Sequence, residues 1–453
     1  MITAKELATA LRPALVRAPS VGPMRFQHAV VDSRKAHRGD IFVALKGERA
    51  DGHDFVKEAS QRGATAAIVE REVEAEIAQY VVPDALAALQ DLARNRRAAR
   101  PKLKVIAVTG SVGKTTTKEL VAAVLSTRYA LLKNEGNLNS EIGLPVVLLE
   151  LTRKHQRAVL EMGMWARGEI AFLCDIAAPE IGIVTNVGPS HMERLGTIED
   201  IADAKAELVE ALPEEGVAIL NADDPRVAAM SERTRANVLT YGLTEEADVR
   251  AEDIGTHGLS GVNFTLVHGD EREPVYSRLP GRAMVHNALA AAAAGIVDSL
   301  ELPEIASALS EAQVPTRLTS HRGVNGSTLL DDTYNASPAS MSAALELLGE
   351  VPGRKIAVLG DMRELGAAEL EGHREVGRVA AGVADLIFAV GELGRWIGDA
   401  AIQAGHGGVQ IMMDKSDVAA ALLPELQPGD VVLLKASRAL ALESLLDDLE
   451  ERP

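Results

Sequence analysis

Residues 105–116 run Val105-Ile106-Ala107-Val108-Thr109-Gly110-Ser111-Val112-Gly113-Lys114-Thr115-Thr116. Four apolar residues and a threonine form a short continuous run of the kind that fills a strand buried on both faces, and a helical segment follows the closing Lys-Thr-Thr. The glycines between them let backbone N–H groups turn inward around phosphate oxygens, and the N-terminus of the helix adds partial positive charge. Lys114 is spaced to reach β- and γ-phosphates and Thr115 to bind Mg²⁺. Gly110, Ser111, Val112, Gly113, Lys114, Thr115 and Thr116 therefore make a candidate nucleotide-phosphate loop. A glycine turn that merely precedes Lys-Thr is the alternative, and the ordered succession of strand, turn, lysine, hydroxyl and helix weighs against it.

Outward from this loop the strand-to-helix alternation repeats. Strand runs at 105–109, 159–162, 181–185 and 217–220 alternate with helical segments, which predicts a parallel sheet of βαβ units. Before it, a short mixed pattern with strand-like pieces at 41–45 and 66–69 suggests a small α/β domain. The helical stretch 84–100, carrying Arg94, Arg96, Arg97 and Arg100 and stopped by Pro101, reads as a connection into the next domain. Over 249–280 short alternating strands replace the helices, with a hairpin expected at 268–271. After an alanine-rich helix around Asn287, Pro315 precedes a second βα series at 328–331, 355–359, 386–390 and 431–434. The expected architecture is α/β in three domains: a small N-terminal domain at 1–83, a central parallel-sheet domain holding the phosphate loop at 84–314, and a Rossmann-like C-terminal domain at 315–453.

Composition narrows the class. The 453 residues are 47% hydrophobic and 25% charged, as in globular proteins of several domains, and only 3% aromatic, so aliphatic residues and alanine must fill the cores. Forty-seven basic residues against sixty-five acidic ones give a net charge of -18, which disfavours nucleic acid and anionic membranes as partners. The single cysteine, Cys174, has no partner for an intramolecular disulfide. Lys5 and Glu6 interrupt the first apolar stretch, and the longest uncharged apolar run, 288–297, is half of what a bilayer requires. We expect a cytoplasmic protein that is neither secreted nor inserted in a membrane.

Three more side chains have chemistry that suits the loop. Glu161 closes a strand run, where open α/β sheets gather ligands, and a carboxylate there suits Mg²⁺. His191 lies in Thr185-Asn186-Val187-Gly188-Pro189-Ser190-His191, another loop leaving a strand, and Lys205 lies in a helical stretch. Taken singly, Glu161 reads also as a solvated strand end, His191 as an incidental loop residue and Lys205 as a surface lysine.

The Gly-x-x-Gly-Lys-Thr form, with Val108 where the general nucleotide loop has its first glycine, resembles the Mur ligase family and the related folylpolyglutamate synthetases. The resemblance implies an ATP-dependent amide ligase of peptidoglycan precursor synthesis, with ATP and Mg²⁺ as cofactors. It implies that Glu161 and His191 bind Mg²⁺ and that Lys205 carries a carbamate that helps hold the metal. Asn287, in Val285-His286-Asn287-Ala288-Leu289-Ala290, resembles the adenine-contacting residue. Arg322 resembles the arginine that reaches from the third domain to the γ-phosphate, and Asp332 the acid that binds ribose. Read without the family, Arg322 is equally a partner in a surface ion pair.

In the first domain Ser33, Arg34, Lys46, Gly47, Asp51, Gly52 and His53 resemble the UDP-binding residues of the two Mur ligases that act last on the peptide; as a bare pattern they are turn and cap residues. Asn137 and Asn139 in Asn134-Glu135-Gly136-Asn137-Leu138-Asn139 resemble the branch that adds D-alanyl-D-alanine to a UDP-linked muramoyl tripeptide. So do Tyr334, Asn335 and Ser337 in Asp332-Thr333-Tyr334-Asn335-Ala336-Ser337-Pro338, and the run Leu359-Gly360-Asp361-Met362-Arg363-Glu364-Leu365-Gly366 with His373. The Asp-Asn-Pro-Arg run of the diaminopimelate-adding branch is missing. The implied substrates are UDP-N-acetylmuramoyl-tripeptide and D-alanyl-D-alanine, handled by a monomer. Another amide ligase of the superfamily, adding diaminopimelate or lysine or acting as a folylpolyglutamate synthetase, is the nearest alternative. A nucleotide-binding regulatory module that ligates nothing is the alternative from a different class.

Overall fold

A computed structural model describes residues 1–12, 14–19, 25–189, 192–315 and 317–451. Three sheets carry the fold. The first has four parallel strands in the order Ala29–Val30, Ile41–Val43, Ala66–Val69 and Ala78–Val81. The second has nine strands among the described residues, with Lys104–Thr109 inside it, flanked by Arg157–Glu161 on one side and Ile181–Val184 on the other. The third has six, five of them parallel, with Thr319–Arg322 antiparallel at its edge.

In the second sheet, Val105 and Ala107 belong to one buried cluster and Ile106 and Val108 to another, so this strand is covered on both faces, as its unbroken apolar run predicts. After Lys104–Thr109 the chain runs through the helix Lys114–Ser126 to the sheet edge at Leu131–Lys133 and returns as Arg157–Glu161. It then crosses to the opposite side as Ile181–Val184. The strand order reverses around Lys104–Thr109, and a crevice forms at the carboxyl ends of strands at such a reversal. The expected hairpin is present: His268 pairs with Glu271 across Gly269-Asp270, with Gly269 at φ 58°.

Two helices fix the crevice. Met284–Val297 packs on Lys114–Ser126. Its alanines from 290 to 294 are fully buried, and without side chains beyond Cβ they allow close approach. Ala85–Ala98, capped by the Asp84 carboxylate, is more than a connector. Arg96 donates to Glu6 Oε1 at 2.6 Å and to the Leu151 carbonyl at 2.6 Å, and Arg97 to the Ala177 carbonyl at 2.8 Å, so this helix ties the first unit to the second. No helix among the described residues is long and apolar enough to cross a membrane.

Candidate active site

The phosphate loop is held open by its neighbours. Asn186, the second residue after Ile181–Val184, accepts the Val112 N–H at 2.9 Å and donates to the Val112 carbonyl at 2.9 Å, while Thr185 Oγ1 donates to that carbonyl at 2.7 Å. Ser111 Oγ exchanges hydrogen bonds with Gly188, accepting its N–H and donating to its carbonyl, each at 2.9 Å. Gly110 adopts φ +148°, and a Cβ there would stand 1.9 Å from Thr185 Oγ1. Gly113 adopts φ +85°, and its Cβ would meet Asn287 Oδ1 at 2.5 Å. Gly110→Ala is accordingly expected to destabilise the fold by about 2–3 kcal/mol and to weaken nucleotide binding, measured by urea denaturation and by titration with ATP.

Lys114 opens the helix and donates back to the Gly110 and Ser111 carbonyls at 2.7 and 3.1 Å. Burial lowers its pKa; Glu161 opposes the shift and Arg317 adds to it. Glu161, buried at the end of its strand, is oriented at every polar atom. Thr115 Oγ1 donates to Oε2 at 2.8 Å and Asn139 Nδ2 to Oε1 at 2.7 Å, and the side-chain amide of Asn134 clamps the Glu161 backbone. Thr117 Oγ1 donates to Asn287 Oδ1 at 3.1 Å, which ties Asn287 to the first turn of the loop helix.

Lys205 is not the surface lysine of the plainer sequence reading. It lies on Ile198–Glu210, which is started by a Thr197–Asp200 capping box, and it is 2% exposed. Its amine makes no hydrogen bond among the described residues. Burial, with the Lys114 charge as a second cause, holds its pKa well below that of an ordinary lysine. His191, the remaining candidate metal ligand, lies outside the described residues.

Two arginines of the third unit stand differently toward the loop. Arg322 ends the edge strand Thr319–Arg322, its side chain 82% exposed and paired with Glu451 at 3.5 Å. It does not meet the loop. Arg317, which precedes that strand, places Nη2 3.4 Å from Thr115 Oγ1 and lays its guanidinium over the Tyr334 ring at 4.5 Å, with Arg438 at 5.6 Å from the same ring. The segment after Thr328–Asp331 is thus drawn toward the phosphate loop. Within it Asp332 pairs with the buried Lys435, whose Nζ also donates to the Asn335 carbonyl at 3.0 Å, and Ser337 caps the helix Pro338–Glu350.

Comparison with known proteins bears on this arrangement. Three family models match in succession: the Mur ligase family catalytic domain at 26–113, the Mur ligase middle domain at 108–295, and the Mur ligase glutamate ligase domain at 316–438. The UDP-N-acetylmuramoyl-tripeptide--D-alanyl-D-alanine ligase of Bacillus subtilis is 38% identical over 462 residues, covering 100% of this chain and 99% of its own. The chain belongs to the Mur ligase family. Among solved structures, a MurF from Acinetobacter baumannii is similar with a TM-score of 0.89 at 35% identity, over 99% of this chain and 98% of that one. The MurF ligase from Thermotoga maritima, solved in complex with ADP, is similar with a TM-score of 0.81 at 32% identity, over 93% and 96%.

In the first unit of this Mur ligase the expected substrate residues divide. His53 is 3% exposed; its Nε2 accepts the Glu70 N–H at 2.8 Å, so the proton resides on Nδ1, 2.6 Å from Asp51 Oδ1. Ser33 donates to Glu58 Oε2 at 2.8 Å. Both side chains are engaged inside the unit, and Gly52 is required because a Cβ would stand 2.5 Å from the Leu45 carbonyl. Arg34, paired with Asp32, and Lys46, 2.6 Å from Glu70 and next to Gly47, are the cations left at the surface. Asn137 is exposed in the loop whose Asn139 holds Glu161. Sequence reasoning missed Arg317 as a site residue, and also Asn134 and Asn186. The signal for the two asparagines was their place in loops beside strand ends, where a side-chain amide can satisfy two backbone groups at once.

Proposed function

We propose that this chain is an ATP-dependent ligase that adds D-alanyl-D-alanine to UDP-N-acetylmuramoyl-tripeptide. The observation that carries the reading is the meeting of loop, carboxylate and arginine at Thr115: Glu161 Oε2 at 2.8 Å and Arg317 Nη2 at 3.4 Å, from two different sheets. Relatives matched over the whole chain bear that activity in their names.

Joining an amine to a carboxylate in water needs an activated acyl group. The loop amides and Lys114 hold the triphosphate, and Arg317 balances charge as the γ-phosphoryl passes to the peptide carboxylate. The D-alanyl-D-alanine amine then attacks the acyl phosphate and expels phosphate. Asn287 and Asp332 face the adenosine, and Arg34 and Lys46 the UDP. Asn137, Asn139, Tyr334 and Asn335 line the peptide's path.

The donor set fits Mg²⁺, since the Thr115 hydroxyl and the Glu161 carboxylate are hard oxygen donors held side by side. Thr115, Glu161, His191 and a carbamate on Lys205 would hold it. Held by these residues, Mg²⁺ would supply positive charge against the transferring phosphoryl group. Burial holds the Lys205 amine well below the ordinary lysine pKa, it has no acid partner among the described residues, and a carbamate formed on it would be an anion beside Lys114. Native mass spectrometry is expected to find one added carbon dioxide, and Lys205→Ala to lower kcat about 10²-fold with partial rescue by bicarbonate. An unmodified mass together with a fully active variant would dismiss the carbamate.

Phosphate release measured with each substrate omitted in turn tests the whole reading. Release is expected only with ATP, the tripeptide and D-alanyl-D-alanine together, and release indifferent to D-alanyl-D-alanine overturns it. A cytoplasmic monomer is part of the same proposal.

A further inference from the structure

The helix Lys114–Ser126 carries a second lysine one turn beyond Lys114. Lys118 is fully buried, and none of the chemistry above uses it. Its Nζ donates to the Asn134 carbonyl at 2.6 Å and lies 2.8 Å from Glu119 Oε1; Glu119 pairs in turn with Lys133. A buried ion pair is by itself a weak reason for a charge at such a position. Desolvation offsets much of the attraction, and apolar side chains of similar volume fill such space about as well. What an apolar side chain cannot supply is the donor that holds Asn134.

Asn134 stands where a strand stops short. Leu131–Lys133 runs beside Arg157–Glu161 and ends with Lys133 opposite Val159, so the Glu161 backbone extends past its neighbour on that side. On the other side Glu161 lies opposite Val108. The Asn134 side-chain amide takes the part of the missing strand. Its Oδ1 accepts the Glu161 N–H at 2.9 Å, and its Nδ2 donates to the Glu161 and Leu138 carbonyls, each at 3.0 Å. The bond to Leu138 closes the loop 134–139, whose far end brings Asn139 to the Glu161 carboxylate. An amide holds a strand end in place only where its own backbone is fixed, and the Lys118 ammonium fixes it. The phosphate-loop helix is thereby joined to the strand end by a route separate from the contact between Thr115 and Glu161.

We infer that Lys118 and Asn134 form a positioning relay: together they hold the Glu161 carboxylate level with the Thr115 hydroxyl, so that both oxygens face one divalent cation. Neither residue touches that cation. The inference rests on the proposed metal site at Thr115 and Glu161. Partners that orient a ligand from behind in this way are worth about 10–100-fold in metal affinity.

Mn²⁺ reports on the site without turnover. Electron paramagnetic resonance titrations of the full chain, saturated with a non-hydrolysable ATP analogue, give its dissociation constant. Lys118→Met and Asn134→Ala are each expected to raise that constant about 10-fold. The double variant is expected to be little worse than either, since both break one relay. In kinetics the Mg²⁺ concentration for half-maximal rate rises in parallel, while the tripeptide KM at saturating Mg²⁺ stays within about twofold. Glu119→Gln takes the carboxylate from the ion pair but leaves the bond from Lys118 to Asn134; it is expected to lower the melting temperature with Mn²⁺ affinity unchanged. Wild-type Mn²⁺ affinity in a folded Lys118→Met or Asn134→Ala variant overturns the relay, and so does an equal loss of affinity in Glu119→Gln. Should Lys118→Met fail to fold, Asn134→Ala against Glu119→Gln still decides. Failure of the wild-type complex to bind Mn²⁺ overturns the metal site and the relay together, whereas unchanged variants overturn the relay alone.

Discussion

Lys114→Ala is expected to lower kcat for ligation by at least about 10³-fold while leaving the melting temperature nearly unchanged. The loss follows from removing the one ammonium that opens the loop helix, on a transfer reaction whose catalysis consists largely of positioning and charge. Stability is spared for a separate reason. Burial already depresses the Lys114 pKa, so the folded state disfavours this charge relative to the unfolded chain, and alanine removes that cost. Of the two hydrogen bonds lost, the one to Ser111 leaves an acceptor on a half-buried residue and the one to Gly110 an acceptor on a buried residue, a cost that the removed charge offsets. Phosphate release and thermal denaturation on the same preparation check both halves. Retained turnover in a folded variant removes Lys114 from the role given to it.

Arg317→Ala is expected to cost about 10²–10³-fold in kcat with little change in ATP affinity, whereas Arg322→Ala stays within about twofold of wild type. Arg317 acts across the gap between sheets, 3.4 Å from Thr115 Oγ1, and its planar, permanently charged fork is braced on Tyr334. Arg322 points into solvent toward Glu451, and exposed ion pairs of this kind contribute about 0–1 kcal/mol. Paired kinetics on the two variants decide between them; the opposite pattern returns the role to Arg322.

That pair also illustrates what the chain discloses before it is folded. Strands such as Ala66–Val69, Thr328–Asp331 and Leu386–Val390 stand where apolar periodicity puts them, because burial on both faces leaves a local compositional trace. The phosphate loop is legible for a similar reason: its function needs glycine at left-handed positions and a lysine at the helix start, all within a few residues. Which of two arginines five residues apart faces the loop is set by where the edge strand begins, at Thr319, and by the partner waiting at Glu451. That is information from the far end of the chain. The engagement of His53 is hidden in the same way, since the Glu70 N–H that meets its ring belongs to a neighbouring strand end. The burial of Lys205 is likewise tertiary; its helix has an ordinary capping box and acidic first turn, and only the packing of other elements around it withdraws the amine from water.

The arginine and the loop it serves are separated by some two hundred positions of covalent chain and adjoin strands of different sheets. A fragment ending after Leu302–Glu311 would still cradle a nucleotide, yet would lack the guanidinium that completes the set of charges. Bulk water reaching the terminal phosphate in a half-assembled molecule therefore finds weak assistance. Idle consumption of fuel by such an unfinished chain is restrained by the division of labour itself.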